Sequence, residues 1–321
     1  MTFFNYLIRK IIAHYAGFSL TDLLRQVKLG VWCYGAMLLL SCPVWVVAGE
    51  DPFAELTFRA GFFIKSFPDF SLEDAEISVK LLAEELGKDV GIKTSVTIYD
   101  DIRVMRNDFE QGKINFVVSS TLSLTTDFDQ ALFADGFRLV VNSDYKDQIL
   151  VLARKSAQTS FKSLKGKRLV LAKFDPMTDL VIDYLSWKNF KQGYLSSFLQ
   201  EPREKKAHQL ILKLFFSQAD VTCVYFNAYQ VAIELNPQLA DKLAIVEQIG
   251  GVPPGAGLFH VKTPKEFRQR VIEQALKLSD KPRGQQLLQL FNAEQVIQVT
   301  VDEFLSVKRL YQDWKQITHE P

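Results

Sequence analysis

Cysteine and histidine are scarce in this sequence, which has three cysteines and four histidines among its 321 residues. Cys33 and Cys42 lie in one apolar segment near the amino end, so the rest of the chain carries only Cys223. One thiol cannot form an internal disulfide, and the cysteines and histidines do not have the spacing of a metal site. The sequence therefore predicts no disulfide framework, no metal and no cofactor, and it indicates that Cys223 is a small core residue.

Motifs of catalysis and signs of nucleic-acid binding are absent as well. The patterns GxxxxGK, GxSxG and HExxH do not occur; they would hold phosphate, a nucleophilic serine and a catalytic zinc, respectively. The formal net charge is +1, which provides no basic surface for nucleic acid. We therefore expect neither an enzyme nor a nucleic-acid-binding protein.

An uncharged run stands near the amino end of the chain. It extends from Leu29 to Ala48, and Arg25 and Lys28 precede it. This length and this charge asymmetry are typical of an export signal, and the small side chains at its end indicate cleavage after Ala48. The sequence therefore predicts a periplasmic protein with an export segment over residues 1–48.

Two alternatives for this segment stay open. Twenty apolar residues are long enough to remain as a membrane anchor, and the run Leu39-Leu40-Ser41-Cys42 resembles a lipoprotein box in which Cys42 would be acylated. In each case the rest of the chain lies outside the cytoplasm. We expect contact with the membrane only through the amino-terminal segment.

Strand-like and helix-like segments alternate along the rest of the chain. Leu56 to Ile64 reads as a strand and Leu72 to Leu86 as a helix; the pattern restarts with a strand from Leu169 to Ala172 and a helix from Thr178 to Trp187. Such alternation implies βαβ units. We predict an α/β fold with two lobes, each a mostly parallel sheet flanked by helices, joined by a hinge of two chain crossings.

The boundaries of the lobes follow from where the pattern restarts and where glycine and proline are dense. Lobe one is predicted over residues 49–150 and 255–321, and lobe two over residues 151–254. The two crossings are expected near residues 148–154 and 251–261.

Three short segments carry a resemblance to a known family. They are Gln111 to Phe116 (QGKINF), Ser163 to Leu169 (SLKGKRL) and Gln218-Ala219-Asp220. Their order and spacing resemble the type 2 periplasmic binding proteins, in particular the phosphate/phosphonate-binding family of ABC importers. The resemblance spans about Leu56 to Lys277.

This resemblance implies a function and partners. It implies a monomer that has no catalytic activity and captures a small polar ligand, with a phosphonate-like anion as one candidate, for the permease subunits of an ABC importer. A membrane-associated domain that senses a ligand for signalling uses the same fold and is the alternative.

Candidate binding residues follow the strands. Ligands of open α/β sheets lie beyond the carboxyl ends of the strands. Polar side chains stand at four such places, and we predict that they contact the ligand: Ser66; Ser119, Ser120 and Thr121; Thr178; and Tyr225 with Asn227. The hydroxyl residues are equally suited to cap the helices that follow, while free amides at a helix start also bind anions.

One loop departs from what the resemblance implies. Phosphonate binders of this family offer a Ser/Thr-Ser-Gly run at the first helix of lobe two, where this chain has Asp175 and Asp179. Two carboxylates beside a dianion would repel it. We therefore expect a ligand other than a simple alkylphosphonate, such as a zwitterion whose amine pairs with an aspartate.

Overall fold

The computed structural model describes residues 56–66, 72–140, 147–156, 160–253 and 255–319. These residues fall within the unit Phe53–Pro321. The predicted export segment, residues 1–48, lies outside the described residues. None of the helices in the described part is long and apolar enough to cross a membrane.

Strands and helices alternate along the described residues. The strands are β1 (Thr57–Phe63), β2 (Lys93–Tyr99), β3 (Phe116–Ser120), β4 (Phe133–Val140), β5 (Gln148–Arg154), β6 (Arg168–Val170), β7 (Leu199–Gln200), β8 (Val221–Tyr225), β9 (Leu243–Gly250), β10 (Gly255–His260) and β11 (Gln295–Val299). The helices are α1 (Leu72–Val90), α2 (Ile102–Glu110), α3 (Thr121–Thr126), α4 (Pro176–Phe190), α5 (Tyr194–Ser197), α6 (Ala207–Phe215), α7 (Phe226–Leu235), α8 (Gln238–Lys242), α9 (Lys265–Leu276), α10 (Pro282–Leu290) and α11 (Leu305–His319).

The strands form two separate sheets, and each sheet with its helices is one lobe. The order is β11-β4-β10-β3-β1-β2 in lobe one and β7-β6-β8-β5-β9 in lobe two. The predicted two-lobed α/β fold is confirmed, but both sheets are mixed rather than mostly parallel. β1 pairs in parallel with β2 and β3, as β6 does with β7 and β8, whereas β5 and β10 run antiparallel to both of their neighbours.

The antiparallel strands have a topological cause. β5 and β10 are the strands that directly follow a crossing between the lobes. A chain that enters a sheet from the edge where its neighbouring strands end has to run against them. The sequence pattern records strand and helix but not this direction of entry.

Burial follows the apolar pattern of the segments. In β5, the five residues from Ile149 to Ala153 are all buried, as expected of a strand covered on both faces. Asp101 caps the start of helix α2, because its side chain accepts a hydrogen bond from Arg103 N at 2.9 Å. Cys223 in β8 is fully buried in the core of lobe two, so the prediction of a small core residue is confirmed, and burial raises the pKa of its thiol well above the usual value.

The carboxyl-terminal helix α11 packs on lobe two, although its residues belong to the range predicted for lobe one. Val307 and Leu310 are part of the hydrophobic core of lobe two. Trp314 Nε1 donates to Asp183 Oδ2 of α4 at 2.8 Å. Because α11 is amphipathic, its apolar face can pack on the core of either lobe. Its position along the chain therefore does not determine on which lobe it packs.

The first crossing lies earlier in the chain than the sequence predicts, and the second is shorter. The first connects β4 to β5, between Val140 and Gln148, because residues 148–154 already belong to the sheet of lobe two. The second connects β9 to β10, between Gly250 and Gly255.

Hydrogen bonds join these crossings to each other and to lobe one. Val252 N donates to Asp147 O at 3.0 Å, which ties the second crossing to the first. Arg138 of β4 forms an ion pair with the Asp147 carboxylate at 2.7 Å, and 5% of the arginine side chain is exposed. The Thr121 hydroxyl, at the start of α3, donates to Pro253 O. The described residues of the hinge are therefore bonded to one another and to lobe one.

A variant of Thr121 tests this role in the hinge. Thr121→Val keeps the shape of the side chain but leaves the Pro253 carbonyl without its donor, so we expect the free energy of unfolding to fall by about 1–3 kcal/mol. Thr121→Ser retains the hydroxyl and should recover most of that loss. Urea unfolding measures both values. A Thr121→Val protein with unchanged stability and impaired ligand binding would instead support the direct ligand contact that the sequence predicts.

Candidate functional site

The carboxyl ends of the parallel strands in both lobes adjoin the hinge. Ser120, the last residue of β3, pairs with Gly255, directly after the second crossing. Tyr225, the last residue of β8, pairs with Ile149, directly after the first crossing. The two sheet edges at which α/β proteins bind ligands thus face the same hinge. We call these two edges together the cleft edge.

On lobe one, the structure brings three of the predicted serines together. Ser66 Oγ lies 3.1 Å from Ser119 Oγ, and Ser120 N donates to Ser66 Oγ at 2.9 Å. Ser120 caps α3, because its hydroxyl oxygen accepts from Ser123 N at 3.3 Å. Ser119 is fully buried, whereas Ser66 and Ser120 are partly exposed.

These serines can act as hydrogen-bond donors. The hydroxyl oxygens of Ser66 and Ser120 each accept a backbone N–H, and a hydroxyl that accepts in this way still has its own proton to donate. Ser120 therefore has a proton for the oxygen atom of an anionic ligand, and so does Ser66 when Ser119 Oγ is the donor in their 3.1 Å contact. Ser120 can therefore cap α3 and donate a hydrogen bond to a ligand at the same time.

On lobe two, Asp175 controls the start of α4. Its side chain accepts from Thr178 N at 3.2 Å, and Thr178 Oγ1 donates to the Asp175 carbonyl at 3.1 Å. Pro176 follows as the first helical residue, a position that favours proline. Thr178 is fully buried, and its hydroxyl is used within the turn. The amides of this helix start therefore already face an anion, which is the protein's own carboxylate.

The electrostatics of Asp175 reflect its surroundings. Burial raises the pKa of its carboxyl group to about 6, and the nearby charge of Asp179 adds to the shift, while the hydrogen bond from Thr178 N opposes it. At neutral pH the group is still mainly ionised. It is a negative charge in a poorly solvated position at the cleft edge.

Asp179 differs from Asp175 because it has a cationic partner. Arg203 Nη1 lies 2.9 Å from Asp179 Oδ1, and Arg203 Nη2 donates to the hydroxyl of Tyr194 at 3.0 Å. The same Nη1 also donates to Ala172 O at 2.8 Å, at the end of β6. Sequence analysis missed Arg203, which lies 24 positions from Asp179 without any periodic relation to it. Of the two carboxylates, Asp179 is paired with an arginine, whereas no arginine among the described residues is paired with Asp175.

Tyr225 and Asn227 lie at the same edge of lobe two. Tyr225 stands immediately before α7 and packs partly against the core of lobe two. Asn227 Oδ1 accepts from Ala228 N at 2.8 Å, so its amide oxygen is turned to the backbone and its NH2 group is the part suited to a ligand.

A groove of about 530 Å³ lies elsewhere on lobe two. Its lining includes Arg154, Lys155, Phe215 and Lys242. Arg154 is the last residue of β5, at the end of the strand opposite to the hinge. This groove is therefore separate from the cleft edge.

Similarity to known proteins agrees with this geometry. The fold is shared with PhnD1 from Prochlorococcus marinus in complex with methylphosphonate (12% identity, 81% of this chain and 98% of that chain covered, TM-score 0.56). It is also shared with a protein from Xanthomonas citri bound to ATP (13% identity, 81% of this chain and 98% of that chain covered, TM-score 0.58). A third structure with this fold is a binding protein component of an ABC phosphonate transporter from Pseudomonas aeruginosa (13% identity, 81% of this chain and 87% of that chain covered, TM-score 0.56). Among curated proteins, no sequence matches the chain.

The fold and the cleft edge define a two-lobed periplasmic binding protein. Residues 64–304 match the model of a family described as ABC transporter, phosphonate, periplasmic substrate-binding protein, and the chain belongs to this family. It is a periplasmic protein that binds a small ligand for the permease of an ABC importer, and it is not an enzyme. These four predictions, of fold, family, function class and absence of catalysis, are confirmed.

A variant of Asp175 tests the electrostatics of this site. The pKa near 6 lies above that of the unfolded chain, so ionisation of Asp175 costs the folded state stability as the pH rises through 6. Asn keeps the acceptor for Thr178 N and does not ionise. We expect Asp175→Asn to be more stable than the wild type at pH 8, by up to roughly 3 kcal/mol.

The difference should shrink as the pH falls through 6 and level off at a small value only below pH 4, because the carboxyl of the unfolded chain has the ordinary pKa of 3.8 and is protonated only there. Thermal unfolding of the two proteins between pH 4 and 8 measures it. A stability difference that does not change with pH would show that Asp175 is well solvated.

Proposed function

We propose that this protein captures a small zwitterion that carries an amine beside an oxyanion, such as an aminophosphonate, for its ABC importer. The oxyanion binds the lobe-one serines and the amine binds the carboxylate of Asp175. The observation that carries this proposal is the hydrogen bond from Thr178 N to Asp175, by which a carboxylate of the protein takes the helix start that an external anion would otherwise use.

Magnitudes favour a zwitterion over a simple anion. Two unit charges about 4 Å apart repel by about 4 kcal/mol at an effective dielectric constant of about 20. A neutral hydrogen bond contributes about 1 kcal/mol, so the hydroxyls of Ser66 and Ser120 do not compensate for a dianion placed against Asp175. An ammonium group at the same place reverses the sign of the interaction.

The other predicted site residues have supporting roles in this proposal. Ser119 is buried and positions Ser66 through their 3.1 Å contact. Thr178 positions Asp175 through the bond to its carbonyl. Tyr225 and Asn227 complete the lobe-two side, with the Asn227 NH2 group as a further donor to the oxyanion.

The proposal extends to the organisation of the whole chain. Residues 1–48 are an export signal that is removed after Ala48, and this segment is the only part that meets the membrane. The mature protein is a monomer with lobe one over residues 49–150 and 255–321 and lobe two over 151–254, except that residues 148–150 and α11 belong to lobe two.

Calorimetry with three ligands tests the proposed substrate class. The wild type should bind 2-aminoethylphosphonate at least about tenfold more tightly than methylphosphonate or phosphate, the free-energy equivalent of about 1.4 kcal/mol. Asp175→Asn should lose this preference. Asp129→Asn is the matched control, because Asp129 is also a capping carboxylate but precedes β4 at the opposite edge of lobe one. Submicromolar binding of methylphosphonate by the wild type would contradict the proposal.

Mass spectrometry of protein from the cell envelope tests the fate of the amino-terminal segment. The expected amino terminus is Gly49, because the uncharged run ends in small side chains at Ala48. A diacylated Cys42 would show a lipoprotein instead. An intact amino terminus would show a membrane anchor and would favour the sensing role.

A further inference from the structure

Phe174 is an exposed aromatic residue at the cleft edge. It lies between the end of β6 and Asp175, the cap of α4. Its relative exposure is 59%, and the Lys173 ammonium lies 5.9 Å from the centre of its ring. A large apolar side chain at this level of exposure gains little from the hydrophobic effect in the free protein.

The backbone of Phe174 is also unfavourable. Its φ angle is +128°, in a region that is accessible to glycine and strained for other residues. The residue is held there from both sides, since Lys173 N donates to Glu204 O at 2.8 Å and Asp175 is fixed by Thr178 N. The protein thus holds an exposed ring in a strained conformation next to the carboxylate of the candidate site.

We propose that Phe174 is a specificity-determining residue whose ring covers the carbon chain of the bound ligand. This inference rests on the proposed function and adds a third recognition element to it. The serines bind the oxyanion of the ligand, and Asp175 binds its amine. The ring packs on the carbon atoms between these two groups. Contact with the ring removes water from the ligand and from Asp175, which strengthens the charge pair.

Variants at this position separate ligand contact from stability. With 2-aminoethylphosphonate as the probe, Phe174→Ala and Phe174→Gly should both weaken binding about tenfold, as expected for the loss of an aromatic contact. Phe174→Leu should have an intermediate effect. Phe174→Gly should nevertheless have a higher Tm than Phe174→Ala, because glycine adopts positive φ without strain.

Phe216 provides the matched control. It is a phenylalanine of similar exposure, 63%, but it follows α6 at the edge of lobe two opposite to the hinge. Phe216→Ala should bind the probe like the wild type.

Two negative results are distinguishable. Wild-type affinity in Phe174→Ala would overturn the role of Phe174 and leave the proposed function intact. A wild-type protein that does not bind 2-aminoethylphosphonate would overturn the proposed function, and the role of Phe174 with it. An equal loss of affinity in Phe174→Ala and Phe216→Ala would also count against a specific contact.

Discussion

The two-lobed structure depends on the two crossings of the chain, which a backbone hydrogen bond from Val252 N to Asp147 O joins to each other. Gly255 and Ile149, which follow the crossings, pair directly with Ser120 and Tyr225 at the ends of central strands. The position of each cleft edge is thereby fixed relative to the hinge. Because this bond joins the crossings, we expect any closure of the lobes to be a rotation about them, which would bring the two edges together around a ligand.

A second constraint is that a carboxylate of the protein, Asp175, occupies the amino terminus of helix α4. A helix amino terminus attracts anions through its free amides and its dipole. Asp175 satisfies part of this demand internally, which stabilises the helix but leaves a poorly solvated charge at the cleft edge. In the proposed function, the same residue lowers affinity for a simple anion and provides a partner for a cation. Capping of α4 and selection of the ligand would then both follow from the position of this one carboxylate.

The sequence predicts the lobes because alternation of strand and helix is a local property. It does not predict that β5 and β10 run antiparallel to their neighbours, because that depends on the edge at which the chain enters each sheet. Within the site, Ser66, Ser119 and Ser120 were predicted from their positions after strands, and the structure brings them together. Whether they touch the ligand stays a prediction.

Other parts of the site depend on distant contacts. Arg203 reaches Asp179 across 24 positions, and no local pattern connects them. The positive φ of Phe174 accompanies hydrogen bonds on both sides of it, and no local pattern in the sequence indicates it. Core residues are constrained by packing, whereas residues at a binding edge are less so, so side chains at the cleft edge can differ between proteins of one fold. Membership of the family therefore determines the transport role, while we propose that the few side chains at the cleft edge determine the identity of the ligand.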